Sequence, residues 1–155
     1  MDDRLIEAFR AATANTFRDM FGIEVAASKP TELTAKMEEH SWDITALVGM
    51  AGEVQGIVGI RLPGSVVSAL LEKSGIEVGD QGERSSMQSG LVAEMSNIIA
   101  GGAASSAEGL EFEIAPPVVV RGPNHRIDWP AIGPVISMTF SSSVGPFEVA
   151  VCAKS

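Results

Sequence analysis

The run DITALVGMAGEVQGIVGIRLP, from Asp43 to Pro63, limits the possible folds more than any other part of the chain. Two β-rich runs flank a short turn at Ala51-Gly52-Glu53, which is the pattern of a hairpin. A hairpin pairs its strands antiparallel, whereas parallel pairing needs a longer crossover. Gly49, Gly56 and Gly59 inside the runs point to bulges or to close packing against a helix. Pro63 and Gly64 end the second strand. A second hairpin closes the chain. There Ile136, Met138 and Phe140 alternate, as do Phe147, Val149 and Val151, around a turn at Gly145-Pro146.

Helical spacing appears elsewhere. Residues 2–21 place Leu5, Ile6, Phe9, Ala12, Ala14 and Phe17 near a helical repeat, with Phe17 and Phe21 as core anchors and Gly22 as the stop. Ile23 to about Lys36 favours extended structure, with an edge strand or a break at Pro30. Ser65–Gly75 reads as a short helix with Ser65 as N-cap and Gly75 at the stop. IEVGDQGERS is a polar loop, and a long helix follows from about Ser85 to Ser106. The stretch from Glu111 to Gly133 is the least regular, with prolines at 116, 117, 123 and 130; it predicts a strand around Val118–Val120 and then a surface loop. Strands joined as hairpins, with helices grouped together, predict an α+β domain. Its largely antiparallel sheet packs against a layer of helices, unlike the parallel sheet of a Rossmann-type fold. The 155 residues form one domain, residues 1–155, large enough to bury a core without staples.

Composition narrows the function. The formal net charge is −9 and no basic stripe is present, which argues against nucleic acid and against an anionic membrane surface. Arg121 and Arg126 flank a loop but are too few to offset that charge. No apolar run reaches the ~18 residues of a membrane span. Met1-Asp2-Asp3-Arg4 does not resemble the start of a signal peptide. Cys152 is alone, so no internal disulfide forms, in keeping with a reducing cytoplasm. It lies in an apolar strand and reads as packed rather than reactive. His40 and His125 are far apart in sequence and read as surface or loop histidines, not as metal ligands. GEVQGIVG lacks the Lys-Ser/Thr of a phosphate loop, and no Gly-x-Ser-x-Gly elbow exists. A protein partner or a small substrate is left.

The long helix carries the one polar arrangement of interest. Wound at 100° per residue, Leu91, Val92, Met95, Ile98, Ile99 and Gly102 form an apolar arc that is expected to face the sheet. A second stripe holds Gly90, Ala93, Glu94, Asn97, Gly101 and Ala104. Within it Glu94 and Asn97 are three residues apart, which puts their Cβ atoms about 5–6 Å from each other. Glycine inside a helix costs about 1 kcal/mol relative to alanine, so the stripe gives up helix propensity for flatness. On spacing alone, an ordinary exposed face with an acid and an amide is the more economical reading. The pair nevertheless has a chemical competence. The Asn97 amide both donates and accepts, so it can orient a water without changing charge. Glu94 can pair with a cation on a partner. That suits phosphoryl transfer, in which positioning and electrostatics supply most of the catalysis.

Glu94 and Asn97 stand in AEMSNIIAGGA, which is similar to the Glu-x-x-Asn signature of the CheC/CheX/FliY phosphatases of bacterial chemotaxis, commonly found in a segment like GEIANMIAGNA. NTFRDMFGIEV (Asn15–Val25) resembles that family's first helix-to-strand passage, and ITALVGMAGEVQGIVGIRLP its first hairpin. The order of the remaining elements fits as well, so the resemblance covers nearly the whole chain. A single Glu-x-x-Asn resembles the CheX branch, since CheC-like members often carry two. Gly102 departs from a frequent Asn, and residues 111–134 match poorly.

The resemblance implies hydrolysis of the aspartyl phosphate of a CheY-type response regulator in the cytoplasm. Asn97 would position the attacking water, and Glu94 would pair with the regulator's active-site lysine. The small residues Gly90, Ala93, Gly101 and Ala104 would admit the regulator's loops. No cofactor of the chain's own is implied; Mg²⁺ is expected on the phosphorylated receiver. A homodimer joined through sheet edges is also implied. The alternative on the same fold is a non-catalytic receiver-binding or switch-complex module.

Overall fold

The computed structural model describes residues 1–33, 42–123 and 125–155. In chain order the elements are α1 (Asp3–Phe21), β1 (Val25–Ala27), β2 (Thr31–Glu32), β3 (Ile44–Gly52), β4 (Gln55–Leu62), α2 (Gly64–Lys73), α3 (Gln81–Ser106), β5 (Phe112–Ile114), β6 (Val118–Arg121), β7 (Val135–Ser142) and β8 (Phe147–Lys154). Both expected hairpins form. The extended run after Gly22 appears as β1 and β2, with a break around Pro30; its end, like His40, lies outside the described residues.

Helix ends follow local chemistry at some points and long-range geometry at others. The Asp2 carboxylate caps α1 by accepting the Arg4 backbone N–H at 2.9 Å, and Gly22 ends it in the left-handed region with φ 65°. α3 starts at Gln81, earlier than the expected Ser85, because Asp80 caps it through the Glu83 N–H at 2.8 Å. Ser65 is not the N-cap of α2. The helix starts at Gly64, whose N–H is accepted by Asp43 Oδ2 at 2.7 Å. Pairing of Ile44 with Leu62 brings Asp43 beside the end of β4, so the cap comes from 21 residues upstream.

Among the described residues the sheet has eight strands. They run β1-β7-β8-β4-β3-β5, with β2 also on β7 and β6 also on β3. Every described pairing is antiparallel. β5 has no counterpart in the sequence reading. Three residues ahead of two prolines are too short to show a period, and it forms by pairing Phe112 and Ile114 with the end of β3. That pairing keeps Ala51 and Gly52 in strand and moves the first hairpin turn to Glu53-Val54.

Alternation sorts the two sheet faces. One face carries Ala46, Val48, Val58, Ile60, Val149 and Val151, packed under the helices in a single core. Phe147 stacks between Phe17 at 4.4 Å and Phe140 at 5.0 Å, which ties α1 to the closing hairpin. The opposite face is buried too, but more polar. Arg61 and Glu148 form a buried ion pair at 3.4 Å, with the guanidinium 5.9 Å from the Trp42 ring centre. The segment between β6 and β7 covers this face. The His125 Nδ1–H donates to the Gly122 carbonyl at 2.8 Å, which leaves Nε2 to accept the buried Thr45 hydroxyl at 2.6 Å. Trp129 lies on Gly59, where a Cβ would sit 2.8 Å from its ring. A Cβ on Gly56 would collide with the Cys152 carbonyl oxygen on β8. These two glycines therefore serve close approach of a loop and of a neighbouring strand, not of a helix.

Candidate functional site

α3 presents its polar pair through a burial pattern that differs from the expected one. Gln88, Val92, Met95, Ser96, Ile99, Ala100 and Ala103 are buried. Compared with the predicted arc, the buried face is turned by roughly 65°, toward Ser96, Ala100 and Ala103. Small side chains let the helix lie close to its neighbours there, and a hydrophobicity count gives them little weight. Ile98, expected to face the sheet, is 41% exposed. Gly102 lies on the α1 side, where a Cβ would stand 3.4 Å from the Ala12 Cβ. The Ser96 hydroxyl is buried without a hydrogen-bond partner among the described residues.

Directly opposite the buried face lie Glu94 and Asn97, both exposed. Neither side chain makes a hydrogen bond or ion pair among the described residues. A carboxylate and an amide therefore project, unengaged, from a stretch of small residues. They line an open groove. Gly90 and Ala93 of α3 share their side of it, and Ile114, Ala115, Pro116 and Pro117 form the other. Of the other small residues singled out in the sequence, Gly101 stands against Ile114, with a Cβ there 3.9 Å from its Cδ1. Ala104 lines a neighbouring groove with Leu110, Phe112 and Glu113. Of the four small residues, Gly90 and Ala93 thus line the groove, Gly101 backs Ile114 and Ala104 belongs to the next groove along.

Sequence reasoning missed the second wall. The Pro116-Pro117 pair marks a stiff segment, but nothing in the sequence says that β5 carries it alongside α3. Arg121 stands at the edge of the loop, as expected. It ends β6, and its Nη1 donates to the Ser85 carbonyl and the Ser89 hydroxyl, both at 3.1 Å, while Nη2 donates to Gln88 Oε1 at 3.0 Å. Cys152 is buried, its thiol donating to the Pro130 carbonyl at 3.4 Å, and burial pushes its pKa up. No group of His, Cys, Asp and Glu suited to a metal ion occurs among the described residues. No helix among them is long and apolar enough to cross a membrane.

A family model described as "Chemotaxis phosphatase CheX" matches residues 44–141, a span that contains the first hairpin, α3 and the whole groove. The chain belongs to the CheX family. It is 29% identical over 133 residues to the CheY-P phosphatase CheX of Thermotoga maritima, an alignment that covers 82% of this chain and 81% of that protein. The crystal structure of chemotaxis protein CheX from Desulfovibrio desulfuricans superposes with a TM-score of 0.85 at 26% identity, over 97% of this chain and 99% of that one. The CheX–CheY–BeF3–Mg²⁺ complex from Borrelia burgdorferi gives a TM-score of 0.80 at 27% identity, over 97% of each chain. As a CheX family member, the chain has the expected α+β fold with its antiparallel sheet.

Proposed function

We propose that this CheX family member hydrolyses the aspartyl phosphate of a CheY-type receiver. The observation that carries the reading is the unengaged Glu94/Asn97 pair on the bare face of α3. The two relatives named with CheY, as its phosphatase and in its complex, support the choice of partner.

In this reading the receiver brings the acyl phosphate and the Mg²⁺ that neutralises its oxygens. This chain supplies position. The Asn97 amide holds a water in line with phosphorus; the water adds, the bond to the aspartyl oxygen breaks, and inorganic phosphate leaves. The Glu94 carboxylate pairs with the receiver's lysine ammonium and keeps the amide in register. The chain needs no metal or cofactor of its own for these tasks. The proposal includes a cytoplasmic setting and a homodimer joined through sheet edges.

The test is phosphate release from a phosphorylated CheY-type receiver, with and without this protein. Acceleration that Asn97→Ala removes is the expected result. No acceleration by wild type, or an Asn97→Ala variant as fast as wild type, overturns the reading. Receiver binding with no change in phosphate lifetime would make the protein a binding module.

A further inference from the structure

The groove beside Glu94 and Asn97 has two walls, and the proposed chemistry uses only one. The other is the link Ile114–Pro117. Proline fixes φ near −65° and offers no backbone donor, so Pro116-Pro117 is a stiff apolar strip. Both ends of this strip are anchored. At one end Ile114 pairs with Met50 in the sheet and stands against Gly101 of α3. At the other the chain enters β6, paired to β3 from Val118 to Arg121, and Arg121 then turns back onto α3.

One guanidinium there grips three acceptors spread over a turn of the helix: the Ser85 carbonyl, Gln88 Oε1 and the Ser89 hydroxyl. Gln88 is itself tied to α2, its amide donating to the Ser68 hydroxyl at 3.0 Å. Gly90, the first groove residue of α3, follows Ser89 directly. The clasp therefore fixes the separation of the two walls where the groove begins. A lysine has no planar fork to hold three acceptors at once.

We propose that the strip Ile114–Pro117 is a second docking wall for the phosphorylated receiver, and that Arg121 is a positioning residue that holds it at working distance from α3. This rests on the receiver-phosphatase reading. A partner that delivers its phosphate to Asn97 must lay backbone on both sides of the pair. The flat helix face takes one side and the proline strip the other. The Glu94 carboxylate between them favours a loop that carries an ammonium group.

The experiment measures affinity for a CheY-type receiver loaded with BeF3⁻ and Mg²⁺, so that docking is read without turnover. Arg121→Ala is expected to weaken binding about tenfold, and Arg121→Lys by less. The Pro116→Gly/Pro117→Gly double variant is expected to weaken it about fivefold. Adding Arg121→Ala to that double variant should then cost less than it does alone, because the wall is already loose. At saturating receiver, kcat should stay within about twofold of wild type, which separates lost positioning from a damaged fold. Wild-type affinity in the variants overturns the inference, as does a fall in kcat at unchanged affinity. Wild type that binds without releasing phosphate overturns the catalytic reading alone. No binding by wild type overturns both.

Discussion

Asn97 would act without gaining or losing a proton, which distinguishes it from the histidines and carboxylates that usually activate water. Its contribution is geometric, so its removal belongs in kcat. We expect Asn97→Ala to cost on the order of a hundredfold in kcat, by analogy with the loss of one positioned transition-state hydrogen bond. Glu94→Ala should instead appear mainly in the receiver's KM. Single-turnover and steady-state phosphate release on the same variants separate the two effects. The neighbouring Ser96 is different. Its hydroxyl is buried with no partner among the described residues. Ser96→Ala removes that desolvated group and is expected to stabilise the fold by about 1 kcal/mol in urea titration, without loss of activity. An Ala variant less stable than wild type would mean that the hydroxyl is satisfied in solution.

At the scale of elements, sequence and structure agree best where a period runs long. α1, α3 and the four long strands were all legible from spacing, because a period sustained over eight or more residues leaves few alternatives. What escaped depended on contacts far apart in the chain. β5 exists because β3 offers it an edge, and α2 starts at Gly64 because Asp43 reaches across a hairpin to cap it. The rotation of α3 escaped for another reason. Ser96, Ala100 and Ala103 go inside because they are small, and smallness is not hydrophobicity. The pair itself was legible, but its second wall was not, since only the sheet brings Pro116-Pro117 to α3. The glycines of β4 give a test of close approach. A Cβ at Gly56 would press on the Cys152 carbonyl and on the Ala153 backbone at 2.7 Å. Those atoms belong to a ladder and cannot swing aside. Gly56→Ala should cost about 1–3 kcal/mol in urea titration, with phosphate release per folded molecule unchanged.

For the molecule as a whole, the net charge of −9 and the two-faced sheet set the conditions for assembly. A charge of that size keeps copies apart unless a defined surface joins them. The described sheet ends in short strands: β1 and β2 at one margin, β5 and β6 at the other. The dimer proposed above has to use such a margin. Pro116 and Pro117 interrupt the β5–β6 margin and line the groove, which makes the β1–β2 margin the better candidate. Mass measurement by light scattering at micromolar concentration should give twice the chain mass.

The buried polar face of the sheet has a practical consequence for optical work. The chain has two tryptophans and no tyrosine. Trp42 lies near the Arg61 guanidinium and Trp129 over Gly59, both across the sheet from the helix that carries Glu94 and Asn97. The native emission of this protein is therefore a gauge of whether the far side is intact, and is nearly silent about events in the groove. A visiting receiver would register through its own dye. Should the native emission change on docking, the sheet itself would have moved, and the two sides of the molecule would be in mechanical communication.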